Sequence, residues 1–169
     1  MRALAMAGCC AAMFFAACGG SPSNFPDEVE CPAPTPLPTS RANPGRVSPN
    51  GYVSELRNSA GRLEQLRATL RSKYPDDTFH QREEFRPDFA DYASQTVCTA
   101  QAMFDIDPPD ARFSDYDATL DTLLQDLIDF TRAGREAVKK RNVSEYRDWF
   151  DGVDAKISAV RQAANAAIR

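Results

Sequence analysis

Residues 114–138 read SDYDATLDTLLQDLIDFTRAGREAV, and their apolar side chains recur at every third or fourth position. This spacing is the period of one face of an α-helix, so it predicts an amphipathic helix that buries a leucine-rich stripe. Ser114 is a favourable N-cap, and Asp115 and Asp117 suit the positive end of the helix dipole. The segment therefore predicts a helical domain.

Three other segments show the same period. The first covers about residues 50–74, the second starts near Pro87 and ends before Pro108, and the last begins at Ser144, which is predicted as its N-cap. The first segment contains four arginines, most of which are predicted to lie on the face opposite the apolar stripe. They are Arg57, Arg62, Arg67 and Arg71.

No stretch alternates apolar and polar residues as a strand would, so the predicted fold class is all-α. Four helices with mostly short connections favour an up-down four-helix bundle over residues 49–169. A three-helix bundle with a loosely attached fourth helix is the alternative.

The N-terminal segment, residues 1–17, has the pattern of a signal peptide. Arg2 supplies a positive charge, and the run from Ala3 to Ala17 is uncharged, mostly apolar and shorter than a spanning helix of about twenty residues. It ends in Phe15-Ala16-Ala17 directly before Cys18. Small residues before a cysteine resemble the lipobox of bacterial lipoproteins.

This resemblance implies that Cys18 carries a lipid and that the chain is cleaved just before it. The protein would then be held at the membrane outside the cytoplasm, and Gly19 and Gly20 resemble lipoproteins that move to the outer membrane of two-membraned bacteria. A plain secretory peptide and an uncleaved anchor are the alternatives. The stretch from Asp107 to the end, with Pro108–Pro109 before two long helices, looks like small helical lipoproteins of unassigned function.

Residues 18–48 are predicted to form a disordered, proline-rich tether. Eight of the twelve prolines fall between Pro22 and Pro49, and the alternating prolines of residues 32–38 favour polyproline II. At roughly 3 Å per residue, such a spacer would hold the bundle several nanometres from the membrane. A proline-rich recognition peptide is the competing interpretation.

Of the five cysteines, Cys31 and Cys98 remain if Cys18 is lipidated and the two before it leave with the signal peptide. An oxidising compartment favours a disulfide between them, which would close a loop worth about 3 to 4 kcal/mol. A buried Cys98 thiol and an intermolecular bridge through Cys31 are the alternatives.

The net charge of −4, with 20 Lys and Arg interleaved among 24 Asp and Glu, indicates a solvated helical surface. Nucleic acid is not expected as a partner, because a phosphate-binding surface needs clustered cationic charge.

One histidine-centred cluster is a weak candidate for a metal site. If residues 76–84 were helical, Asp76, His80, Glu83 and Glu84 would share a face with metal-ligand spacing. A solvated loop after Pro75 is the favoured interpretation, so no metal or other cofactor is expected.

A second acidic group is a weak candidate for calcium, and its members are Asp105, Asp107, Asp110, Asp115 and Asp117. It lacks the glycine and terminal glutamate of an EF-hand loop. These carboxylates are instead expected to flank helix termini.

The sequence offers no constellation for catalysis. Any triad would need His80 as its base, and no Gly-x-Ser-x-Gly elbow accompanies it. The leading hypothesis is a non-enzymatic envelope lipoprotein whose bundle binds or scaffolds another envelope component. The alternative is a bundle that binds a small ligand or metal in a pocket near Tyr116, Trp149 or His80.

Overall fold

A computed structural model gives the structure of the chain, and it describes residues 25–33, 36–40, 46–76 and 78–167. The predicted signal segment and the predicted lipidation site Cys18 lie outside these residues. The all-α prediction is confirmed, since the described residues form four α-helices and no strand beyond an isolated bridge between Thr39 and Val47. The four helices are α1 Pro49–Lys73, α2 Phe85–Phe104, α3 Ser114–Lys139 and α4 Val143–Ala166.

Local signals set the start of α1 and α2. The Ser48 hydroxyl caps α1 by accepting a hydrogen bond from the backbone N–H of Gly51 at 3.1 Å, and Pro49 lies in the first turn, where its missing N–H costs no hydrogen bond. Pro87 likewise falls in the first turn of α2, which begins at Phe85. The helix therefore starts close to the predicted residue.

The two predicted serine caps are wrong. Ser114 is already inside α3, because a 3-10 helix over Ala111–Phe113 leads directly into it. Asn142 caps α4, and its side chain accepts from the backbone N–H of Glu145 at 3.4 Å. The cap moves because the tight connection after α3, with Arg141 at φ 57°, leaves Asn142 extended and able to reach the first turn of α4.

The apolar stripes of the four helices meet in one core. α1 packs against α2 and α4, and α3 packs against the same two helices. Among the largest fully buried side chains are Tyr52, Leu56, Phe89, Leu124 and Trp149.

The polar-face prediction is wrong for Arg67, which is only 4% exposed. Its Nε donates to Asp154 Oδ1 of α4 at 2.7 Å, and its guanidinium lies over the ring of Phe150 at 4.7 Å. Arg67 follows Leu63 by four residues and precedes Leu70 by three, so it lies on their apolar face of the helix. Its position in the helix therefore indicated burial better than its charge indicated exposure. The pairing with Asp154 makes the burial tolerable.

Two glycines let α3 and α4 approach closely. A Cβ on Gly134 would lie 2.4 Å from Trp149 Cδ1, and a Cβ on Gly152 would lie 2.7 Å from Phe130 Cζ. Each helix therefore seats a ring over a glycine of the other.

The two ends of the bundle are defined by contacts between helix termini. At the Tyr52 end, the ring of Tyr52 contacts Phe113 at a centroid distance of 5.5 Å. At the Phe85 end, the ring of Phe85 contacts Tyr146 at 5.6 Å, and Arg86 Nη2 donates to the carbonyl of Lys139 at 3.2 Å. No helix within the described ranges is both long and apolar enough to cross a membrane.

Candidate functional site

The described part of the predicted tether lies against the bundle. The segment over residues 25–33, which we call the strap, begins with Phe25, whose side chain is buried between two arginines. The guanidinium carbons of Arg86 and Arg135 lie 5.5 and 5.0 Å from the centre of its ring. Cation–π attraction of this kind strengthens as the groups are desolvated, so the docked ring holds the strap at the Phe85 end.

Polar contacts fix the next residues of the strap to α3. Arg135 donates to the carbonyl of Pro26, and Arg132 Nε pairs with Glu28 Oε1 at 3.2 Å. Arg135 is 6% exposed, so its hydrogen bond to the strap also satisfies a buried charge. Composition predicted a free spacer for this segment and gave no sign of these contacts.

A disulfide joins the strap to α2. Cys31 and Cys98 are bonded in the structure, with their Cα atoms 5.1 Å apart. The bridge lies beyond the aromatic anchor, so the strap is held at both Phe25 and Cys31.

On both sides of the disulfide, the extended chain forms one wall of a cleft of about 560 Å³. The opposite walls come from α1 and α2. The chain's contribution to the lining is Val29, Glu30, Pro32, Ala33 and Leu37.

A second cleft of about 390 Å³ continues along the same two helices. Arg62, Asp91 and Gln95 line both clefts, so they form one groove, which we call the α1–α2 groove. The combined volume falls in the range typical of ligand sites.

Lys73 and Asp88 of the groove form an ion pair, but its other four charged side chains have no ionic partner among the described residues. Within the described parts of the chain, Glu30, Glu55, Arg62 and Asp91 form no ion pair. Neutral donors hold two of the carboxylates: Ser59 Oγ donates to Glu55 Oε1 at 3.2 Å, and Gln95 Nε2 donates to Asp91 Oδ2 at 2.7 Å. Three carboxylates against one guanidinium make the groove electronegative.

At the end of the groove away from the disulfide, the charged side chains Lys73 and Asp88 neutralise each other. Asp88 accepts hydrogen bonds from Lys73 and Tyr74. Desolvation alone would raise the pKa of the Asp88 carboxyl, but these two donors outweigh it and hold the pKa below its usual value. Two donors of the fold, one of them charged, therefore occupy Asp88, whereas the donor to Asp91 one turn further along α2 is the neutral Gln95.

The four residues that were weak candidates for a metal site do not share one helical face. Asp76 pairs with Arg82 at 3.0 Å, and Glu83 pairs with Arg141 at 3.8 Å. His80 lies in a 3-10 helix over Phe79–Gln81, whereas Glu83 and Glu84 lie in a turn before α2, so the common face that a single helix would provide is absent. No group of three or more potential ligands in the described ranges is placed to hold a metal ion.

Three of the five aspartates considered for calcium accept hydrogen bonds from nearby side chains. Asp105 accepts from Gln101 Nε2 at 2.9 Å, and Asp110 receives two hydrogen bonds from the Arg112 side chain at 3.0 and 2.8 Å. Asp117 accepts from the Tyr52 hydroxyl, and this bond together with burial raises the pKa of Tyr52.

The three residues named for an interhelical pocket fall in different surroundings. Tyr116 is half-buried beside Tyr52, with ring centres 6.4 Å apart, whereas Trp149 is fully buried over Gly134. His80 lines a cavity of only about 50 Å³, which has room for one or two waters. Sequence reasoning missed the α1–α2 groove because its strap wall comes from the tether.

Comparison of the chain with protein-family models, curated proteins and solved structures found no match.

Proposed function

We propose that the chain is a lipid-anchored cell-envelope protein, without enzymatic activity, that binds an extended segment of another envelope protein in the α1–α2 groove. The observation that carries this proposal is the groove itself, with its unpaired charges and its wall formed by the strap. A ligand that enters such a groove can satisfy charged groups that the fold leaves without ionic partners.

Charge and shape favour a segment with a basic side chain. Glu30, Glu55 and Asp91 offer carboxylates, while Leu37 and Ile106 supply apolar surface beside them. A lysine or arginine with its aliphatic stem would contact both kinds of surface. The single Arg62 would select against a second basic residue at its own position.

The anchor is proposed from the resemblance of residues 15–18 to a lipobox. A lipid on Cys18 would place the domain outside the cytoplasm, in the outer membrane where the organism has one. The Cys31–Cys98 bridge supports export, because disulfides persist in oxidising compartments.

We also propose an up-down-up-down order for the four helices. Each helix packs against two others, and the α3–α4 connection is only three residues long, from Lys140 to Asn142. Short connections place consecutive helices antiparallel.

The absence of enzymatic activity is proposed from the surroundings of the one histidine. His80 contacts the ring of Phe79 at 6.1 Å, and its Nδ1 has no hydrogen-bond partner in the described residues. A general base needs an orienting partner and a nearby nucleophile.

Site-specific photocrosslinking in the producing organism tests the groove. A photoreactive residue at Gln95 lies in the groove, and the same replacement at Gln125 is a matched control, since each glutamine donates to an aspartate four residues away on its helix. We expect a discrete adduct from position 95 that Glu30→Lys/Glu55→Lys abolishes, because the reversed charges repel a basic segment. Equal adducts at both positions, or none, would contradict the proposal.

Two mass measurements test the anchor and the alternative ligand. The intact denatured mass should show cleavage before Cys18 and an added lipid, and Cys18→Ala should move the protein out of the membrane fraction. A small-ligand site, which the groove volume also permits, would show in native mass spectrometry as an added mass that disappears on denaturation. An unlipidated chain would overturn the anchor.

A further inference from the structure

The strap runs along the bundle from the Phe85 end toward the Tyr52 end. Phe25 contacts Arg86 near the start of α2, and Cys31 is bonded to Cys98, twelve residues further along the same helix. Twelve helical residues rise about 18 Å, which six extended residues of strap can just span. The strap is therefore extended. Its first residue, Phe25, lies at the Phe85 end, whereas α1 begins at the Tyr52 end.

This path sharply limits the distance between Cys18 and the bundle. Only six residues separate Cys18 from the docked Phe25, so the span between them is at most about 25 Å. A fully free tether over residues 18–48 would reach several times further.

The two ends of the bundle differ in charge. Residues 105–121, at the Tyr52 end, hold six aspartates and one arginine, so this stretch alone carries a net charge of −5 against −4 for the whole chain. At the Phe85 end, Lys139 is the last residue of α3, and Lys140 and Arg141 follow it in the connection to α4. The two lysines pair with Glu136 at 3.8 and 3.9 Å, and Arg141 pairs with Glu83 at 3.8 Å. These three side chains are 42%, 68% and 66% exposed, and surface ion pairs of this length contribute little to stability, so each cation can exchange its carboxylate for another anion.

We propose that the Phe85 end rests on an anionic membrane surface, with Lys139, Lys140 and Arg141 against the lipid headgroups. The inference rests on the lipid anchor proposed for Cys18. The 26 residues of α3 make about 39 Å of helix, which carries the acidic Tyr52 end well beyond the Debye length of about 8 to 10 Å from the surface. The opening of the groove then faces sideways along the membrane, where other anchored proteins lie.

Energy transfer to the membrane tests this orientation. Ser144 and Ser114 are exposed residues at the starts of α4 and α3, at opposite ends of the bundle. In the lipidated, oxidised full-length mature protein, Ser144→Cys or Ser114→Cys supplies the one free thiol for a donor dye. Each labelled protein is reconstituted in vesicles of phosphatidylglycerol and phosphatidylcholine that contain an acceptor-labelled lipid.

We expect transfer from position 144 to exceed transfer from position 114 severalfold. Equal transfer from the two positions, or stronger transfer from 114, would overturn the proposal. The intact mass of each sample is measured first, so that a missing lipid, which would refute the anchor, is distinguished from a lipidated protein that orients differently.

A charge variant tests the role of the basic residues. Lys139→Glu/Lys140→Glu should lower transfer from position 144, whereas Arg46→Glu/Arg112→Glu at the Tyr52 end changes net charge equally and should leave it unaltered. Equal responses to the two double variants would exclude contact between these lysines and the headgroups. Circular dichroism of both variants verifies that the helices are retained.

Discussion

Between α3 and α4, the helices are drawn together until Trp149 covers Gly134 and Phe130 covers Gly152. Between α1 and α2, a polar groove remains, and the strap covers only part of it. The first interface leaves no room for a ligand and serves stability. The second leaves Glu30, Glu55, Arg62 and Asp91 without ionic partners among the described residues, at positions open to a ligand.

The largest expected effect is a loss of stability at alkaline pH, caused by the buried tyrosines that pack against Trp149 at the α3–α4 interface. Burial is the main cause that raises the pKa of Tyr92 to about 12, and burial also raises the pKa of Tyr146. The folded protein therefore keeps these protons at pH values where the unfolded chain, with a pKa near 10, releases them. Stability should be fully present below about pH 10 and fall as the pH rises toward 12.

Thermal melts followed by Trp149 fluorescence at pH 8, 10, 11 and 12 measure this loss. For each tyrosine, a difference of one unit between its pKa in the folded and unfolded states corresponds to about 1.4 kcal/mol of stability. The melting temperature should therefore drop steeply above pH 10. A melting temperature that is unchanged between pH 8 and 11 would show that the phenols are not as buried as the packing implies.

The next effect concerns the strap side. Cys31→Ser/Cys98→Ser removes a loop closure of 67 residues and should lower the free energy of unfolding by about 3 to 4 kcal/mol. Denaturant titration of the oxidised parent and of the double variant gives the difference. Reductant should destabilise the parent to the level of the variant and leave the variant unchanged, and a loss below about 1 kcal/mol would show that Phe25 alone holds the strap.

A smaller loss of stability is expected when a larger side chain is placed between α3 and α4. Gly134→Ala places a methyl group against the Trp149 ring and should cost about 1 to 3 kcal/mol by overpacking. Gly61→Ala is the matched control, since its Cβ would meet only Arg161 Nη1 at 3.5 Å, and alanine there should stabilise α1 by about 0.5 to 1 kcal/mol. If both variants changed the melting temperature in the same direction, the close packing of α3 and α4 would be contradicted.

The smallest effect on stability is expected inside the groove. Arg62 is exposed and forms no ion pair in the described residues, so Arg62→Gln should change the free energy of unfolding by less than about 0.5 kcal/mol. The same variant should raise the crosslinking yield at position 95, because it removes a cation that repels a basic segment. A loss of stability above about 1 kcal/mol would mean that the groove is part of the structural core.

Much of the helical architecture was predictable because it depends on neighbours in sequence. The three- and four-residue period over residues 114–138 predicts α3, and the stripe through Leu56, Leu63 and Leu70 predicts the buried face of α1. Helix ends were less accurate, as Ser114 and Asn142 show, since a cap depends on the geometry of the preceding turn.

The candidate site was scarcely predictable. The cysteine count suggested the bridge between Cys31 and Cys98, but the groove needs three segments that are far apart in sequence. Phe25 carries no periodic signal, and its burial depends on Arg86 and Arg135, which lie 61 and 110 positions away. Composition describes the proline-rich segment as a spacer because it registers the stiffness of proline and not the surface on which the segment lies.

The sequence by itself determined that the domain is helical and which helix faces are apolar, and it suggested Cys31 and Cys98 as the pair that forms the disulfide. Only the tertiary structure decided that Arg67 is buried, that the strap lies along the bundle and that α1 and α2 leave a groove open. The physical reason is range: helix formation follows local hydrogen bonds and side-chain spacing, whereas docking and clefts arise from packing between surfaces that only the folded chain brings together.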